Sequence, residues 1–84
     1  MTLQDTLNER GTVHGDFTDN ARISQSIKSI LRAEPSYAHL TPVMREALDM
    51  IAHKMARILA GNPNHPDHVH DIQGYARLVE ERLP

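Results

Sequence analysis

A chain of 84 residues with a net charge of −2, no cysteine and 4% aromatic side chains leaves room for one domain with an aliphatic core. The absence of cysteine excludes a disulfide framework and a thiolate metal site, and the slightly acidic balance argues against a duplex nucleic-acid partner. No apolar run approaches the ~20 residues of a membrane span, and the opening MTLQDTLNER lacks the apolar stretch of a signal peptide. The expectation is therefore no membrane partner and a cytoplasmic setting. So short a chain, with one Phe, two Tyr and no Trp, is expected to complete its burial against further copies of itself, as a homo-oligomer.

Thr2–Glu9 predicts a short helix capped by Thr2, with Leu3 and Leu7 as its apolar face. Two turns are marginal alone, so this helix must dock on the body or on a neighbouring subunit. Arg10–Phe17, RGTVHGDF, reads as a loop. Its two glycines permit positive φ and close backbone approach to a ligand. The spacing is not that of a P-loop, and a plain turn is the simpler reading. Thr18–Ala33 predicts the second helix, capped by Asp16 or Thr18. Ile23, Ile27, Ile30 and Leu31 form its stripe, while Arg22, Lys28 and Arg32 lie off it. Glu34-Pro35-Ser36 ends it, and Tyr37 and Leu40 in the connection cover one end of the core.

Arg45–Gly61, REALDMIAHKMARILAG, has the strongest helical pattern in the chain. Thr41 and Pro42 supply its cap and first position, and Gly61-Asn62-Pro63 its stop. Met44, Ala47, Leu48, Ile51, Met55, Ile58 and Leu59 fall on one face. Glu46, Asp49, His53 and Arg57 fall opposite, with Lys54 on the boundary. Asn62–His70 reads as a rigid, solvated loop or helix start rich in histidine. His65, His68 and His70 do not converge as metal ligands would, so no metal is expected. Asp67–Leu83 predicts the last helix, with Val69, Ile72, Ala76, Val79 and Leu83 as core stripe and Asp67, Asp71 and Tyr75 as a more polar one. Gly74 inside it costs ~1 kcal/mol against alanine, which points to close packing or room for a ligand. The fold class is all-α: three main helices plus a short N-terminal one, bundled as a homo-oligomer.

The last two helices should pack antiparallel across their short loop. Lys54 and Arg57 would then lie close to Asp67 and Asp71. One reading is an interhelical salt-bridge network, worth little if exposed. The other is a half-polar pocket. There Lys54 and Arg57 would hold phosphate oxygens, Asp67 and Asp71 a sugar hydroxyl, a base edge or Mg²⁺, and Tyr75 would stack.

Three strings occur in order: Arg10-Gly11-x-x-His14-Gly15-Asp16-Phe17, REALDMIAHKMARIL-x-G, and Asp67-x-x-x-Asp71-Ile72-x-Gly74-Tyr75-Ala76. Together they resemble a family of small phage and prophage proteins of unknown function. More remotely the layout is similar to nucleotide-modification-associated phage domains and to the MazG-like all-α nucleoside triphosphate pyrophosphohydrolases. The resemblance implies an all-α oligomer, within a host cytoplasm, that takes a nucleotide-like ligand. It points to Lys54, Arg57, Asp67, Asp71 and Tyr75 as ligand-binding positions, and Arg10, His14, Gly15 and Asp16 of the RGTVHGDF segment are expected to reach the same ligand. His14 stands where the phage pattern has Tyr. The MazG-like enzymes hold Mg²⁺ with Glu-x-x-Glu on one helix and Glu-x-x-Asp on the next. Here Glu46 and Asp49 match only the second, and Mg²⁺ would be a cofactor only if the chain were an enzyme. Metal-assisted hydrolysis needs several carboxylates, so binding without turnover is the expectation. In a phage such a binder would sequester a host defence signal. The two rival expectations are a degenerate pyrophosphohydrolase and an inhibitor that docks on a host defence protein through its helix faces.

Overall fold

The computed structural model describes residues 1–84 and consists of four α-helices and one 3₁₀ turn, without strands. Helix α1 spans Leu3–His14, α2 Phe17–Ala33, α3 Pro42–Ala60 and α4 Pro66–Glu80, with the 3₁₀ turn at Pro35–His39. The predicted all-α class is correct.

Each start follows from its capping chemistry. Thr2 and Asp5 form a reciprocal capping box at α1. Asp16 accepts from the Asp19 amide at α2, and the Thr41 hydroxyl from the Met44 amide at α3, with Pro42 in the first turn. Arg45 ties the 3₁₀ turn to the start of α3. Its Nε donates to the Tyr37 carbonyl at 3.3 Å and Nη2 to that of Ala38 at 2.6 Å, with the guanidinium over the Tyr37 ring.

Helix α3 is the middle element, flanked by α2 and α4. Gly15 abuts Ala60 while Arg32 meets Asp49, so α2 runs antiparallel to α3. The Lys54–Asp71 pair across the Gly61–His65 connection makes α4 antiparallel as well.

Three expectations are corrected. The first helix does not stop at Glu9, and Arg10–His14 is not loop. Gly11 meets open space, and Thr12 donates from its hydroxyl to the Glu9 carbonyl, so the helix runs on to His14. Only Gly15, at φ 88°, and Asp16 remain as the turn. Nor is the histidine-rich segment wholly solvated. His68 is 1% exposed, packed between the rings of His14 and His65. Last, the long aliphatic stripes are mostly not the buried core, and of their members only Ala47 and Val79 are buried. The buried α3 positions are Ala47, Ala52, Lys54 and Ala56, while Leu59, Ile30, Val69 and Leu83 remain exposed. Small side chains let the flanking helices come close to α3, so alanine fills the contacts that the larger residues were expected to fill.

Candidate functional site

The site is built on the crossing of the α1–α2 turn over the end of α3. Two glycines make the crossing. A Cβ at Gly15 would collide with the Ala60 backbone, and one at Gly61 with the backbone of Val13 and His14. The Asn62 amide donates to the Val13 carbonyl at 3.1 Å, and Asn20 Nδ2 to the His14 carbonyl at 3.2 Å. His68 Nε2 lies 3.4 Å from the Val13 carbonyl, a contact that requires that nitrogen to carry the proton. Helix α1 buries no residue of its own, so these bonds hold its C-terminal end in place.

The crossing leaves an open pocket of about 560 Å³ between α1, the start of α2 and the polar side of α3. Of the predicted binding residues it brings together Arg10, His14, Gly15, Asp16 and Arg57. It adds residues that the sequence did not single out for binding: Asn20, Phe17 and Gln4, together with His53 from the polar face of α3. Phe17 is 82% exposed, an aromatic ring left in water at the pocket rim. Asn20 is buried one turn after the Asp16 cap, and nothing in its spacing marks it.

Two nitrogens here are buried without a hydrogen-bond partner, Arg57 Nε and His14 Nδ1. Burial lowers the pKa of Arg57, and the nearby Arg10 lowers it further, while Asp71 and Tyr75 act in the opposite direction. Burial holds His14 down to about 4, helped by the positive charges of Arg57 and Arg10. His14 is therefore neutral at pH 7. His53 is lowered as well, by burial first and then by Arg57. The pocket thus gathers cationic and neutral-imidazole nitrogens with no carboxylate paired to Arg57.

The remaining predicted residues lie elsewhere. Lys54, 9% exposed, is buried between α3 and α4 and donates to Asp71 at 2.8 Å. That hydrogen bond lowers the pKa of Asp71. Asp71 and Tyr75 line a separate cleft on α4 with His70, Gly74 and Leu78. Asp67 meets only His65, at 3.2 Å. The two carboxylates considered for metal also diverge. Asp49 is engaged by Arg32 at 3.5 Å, while Glu46 is exposed at a cleft with Val43, Tyr75 and Leu78. No group of three or more His, Asp or Glu side chains is arranged to hold a metal ion.

A family model described as Domain of unknown function (DUF6378) matches residues 3–83. The chain belongs to that family. The DUF6378 match takes in all four helices and both sides of the pocket. No curated protein and no solved structure matches the chain.

Proposed function

We propose that the chain is a binding protein for a nucleotide or nucleotide-derived small molecule, held without turnover in the pocket between α1 and α3. The observation that carries this reading is Arg57, a guanidinium that lines the open pocket with no carboxylate paired to it and whose buried Nε has no hydrogen-bond partner until the side chain turns onto a ligand. Leaving such a donor unsatisfied costs ~1–3 kcal/mol, a cost that an anionic ligand would remove. A guanidinium is suited to phosphate through charge-assisted, bidentate hydrogen bonds. Arg10 adds a second positive charge at the same pocket.

Other features fit a nucleoside attached to that phosphate. Phe17 and Leu7 offer an apolar rim on which a base can stack. The neutral imidazoles of His14 and His53 line the same pocket and add polar groups that carry no charge at pH 7. The pocket volume lies within the ~300–1,000 Å³ usual for small-molecule sites. Binding without hydrolysis is supported by the carboxylates. Asp49 is tied to Arg32, Glu46 is directed to another cleft, and α2 carries Arg22, Lys28 and Arg32 with no acidic pair within its body. The phage resemblance supports sequestration of a host signal nucleotide as the biological role.

A thermal-shift screen tests the reading, using mono-, di- and cyclic nucleotides and ADP-ribose with and without Mg²⁺. At a ligand concentration ~100 times Kd, stabilisation should reach ~2.7 kcal/mol. Arg57→Ala should abolish it. Mg²⁺-dependent release of pyrophosphate that is lost in Glu46→Gln would instead establish the enzyme reading.

A further inference from the structure

Helices α2, α3 and α4 form a single layer with two unlike sides. On α3 the Arg32–Asp49 and Lys54–Asp71 pairs mark the flanks that meet α2 and α4. At about 100° per residue, one of the two remaining sides of α3 carries His53 and Arg57 and belongs to the pocket. The other carries Met55 and Leu59, one turn apart. Because α2 and α4 both run antiparallel to α3, the same construction places Ile23 and Ile30 of α2 on the Met55–Leu59 side. It places Val69 and Ile72 of α4 there too. Nothing in the chain covers this side: Leu59 is 70% exposed, Ile30 69% and Val69 50%.

A helix layer that is apolar on one side needs a second layer to bury that side. This chain has no element left to supply it, since α1 lies on the pocket side. The surface area agrees. The chain exposes 6040 Å², against about 5,000 Å² for a compact monomer of 9.5 kDa. The excess of about 1,000 Å² is close to the ~800 Å² that each partner contributes to a standard interface. The radius of gyration of 14.5 Å likewise exceeds the ~12 Å expected at this length.

We propose that the Met55–Leu59 side is the interface of a homodimer, in which two three-helix layers stack back to back and each pocket opens outward. A second copy fits this surface because its exposed apolar centre, Met55, Leu59, Ile30 and Val69, is uncharged, with Asp19 and Glu80 only at its outer edges, so the same patch can face itself without burying like charges at its centre. The pocket does not depend on this contact, so the proposal stands or falls apart from the ligand reading.

Sedimentation equilibrium of the wild-type chain at micromolar concentration should give twice 9.5 kDa. Leu59→Glu and Ile30→Glu, both at exposed positions, should halve that mass while keeping the helical circular dichroism. Hydroxyl-radical footprinting of the wild type gives a readout that needs no variant. Leu59 and Ile30 should be protected, while Phe17 and Leu3, equally exposed on the single chain, should be labelled. A wild-type monomer overturns the proposal, as does a dimer that survives both substitutions or labelling of Leu59 and Ile30 as strong as that of Phe17.

Discussion

Gly15→Ala, in the turn between α1 and α2, should be far more damaging than the same change at Gly74 inside α4. Gly15 sits at φ 88° and ψ 178°, a region that side chains disfavour by ~1–3 kcal/mol. Its new methyl group would also overlap the Ala60 backbone, a crowding of the kind that costs ~1–3 kcal/mol. The two together give ~2–6 kcal/mol if the crossing holds, or a fall in Tm of at least ~8 °C at ~4–8 °C per kcal/mol for a domain of this size. The chain has an alternative, because α1 buries nothing and can detach. The loss of stability is then limited to the docking energy of α1, and the loss appears as faster amide exchange of α1 and loss of the pocket. At Gly74 an added Cβ meets nothing within 4 Å. Alanine there should raise stability by up to ~1 kcal/mol through helix propensity. Thermal melts followed by circular dichroism, with hydrogen exchange on α1, distinguish these effects. A Gly15→Ala protein with wild-type melting and wild-type α1 protection would refute the crossing as the device that builds the pocket.

Two further outcomes follow from the charges. Asp71→Asn should destabilise at pH 7 more than Lys54→Met, because it leaves the Lys54 ammonium buried without its acceptor, whereas an apolar replacement of a buried charge is often tolerated. The folded-state pKa of Asp71 is lowered below 3.8, so its contribution is present above that value and fades as the pH falls through the lowered one. The gap between wild type and Asp71→Asn should therefore narrow progressively as the pH falls below 3.8, and urea melts at pH 7 and at a series of pH values below 3.8 check both statements. His14 titrates at about 4 in the folded chain, against 6.5 ordinarily. The unfolded chain takes up that proton first, so wild type should lose stability relative to His14→Gln as the pH falls from 6.5 towards 4, and not above 6.5. Urea melts across that window test the sign, and the His14 ring signal in NMR should move with a midpoint near 4.

Much of the helical framework was legible because caps are local. Thr41-Pro42, Asp16 and Thr2 mark their helix starts by side-chain chemistry that needs no tertiary partner. The extent of α1 was not legible, because Gly11 and the polar run after Glu9 look like a loop until the Thr12 hydroxyl and the Asn62 amide are seen to anchor it. Periodicity placed Met55, Leu59 and Ile30 on apolar faces, yet a period reports a side of a helix and not whether a neighbour covers it. The same limit hid Lys54, which lay on a boundary in projection and is buried because α4 closes over it through Asp71. Of the site, the Arg10–Asp16 segment and Arg57 could be read from the chain. Their separation from Asp71 and Tyr75 could not, since it depends on α1 crossing α3 at Gly15 and Gly61 rather than on helical spacing.

The most direct test of the binding reading is the Arg57 Nε–H signal itself. In the free protein this donor is buried and unpartnered. In ¹H–¹⁵N spectra optimised for arginine side chains, addition of the nucleotide selected by the screen should move the Arg57 Nε–H resonance downfield, as expected when a charge-assisted bond to phosphate forms. The amides of Gly15 and Asp16 should shift with it, while those of Gly74 and Tyr75 stay near their starting positions. A saturating nucleotide that shifts the Gly74–Tyr75 cleft and leaves the Arg57 Nε–H resonance unmoved would contradict the account.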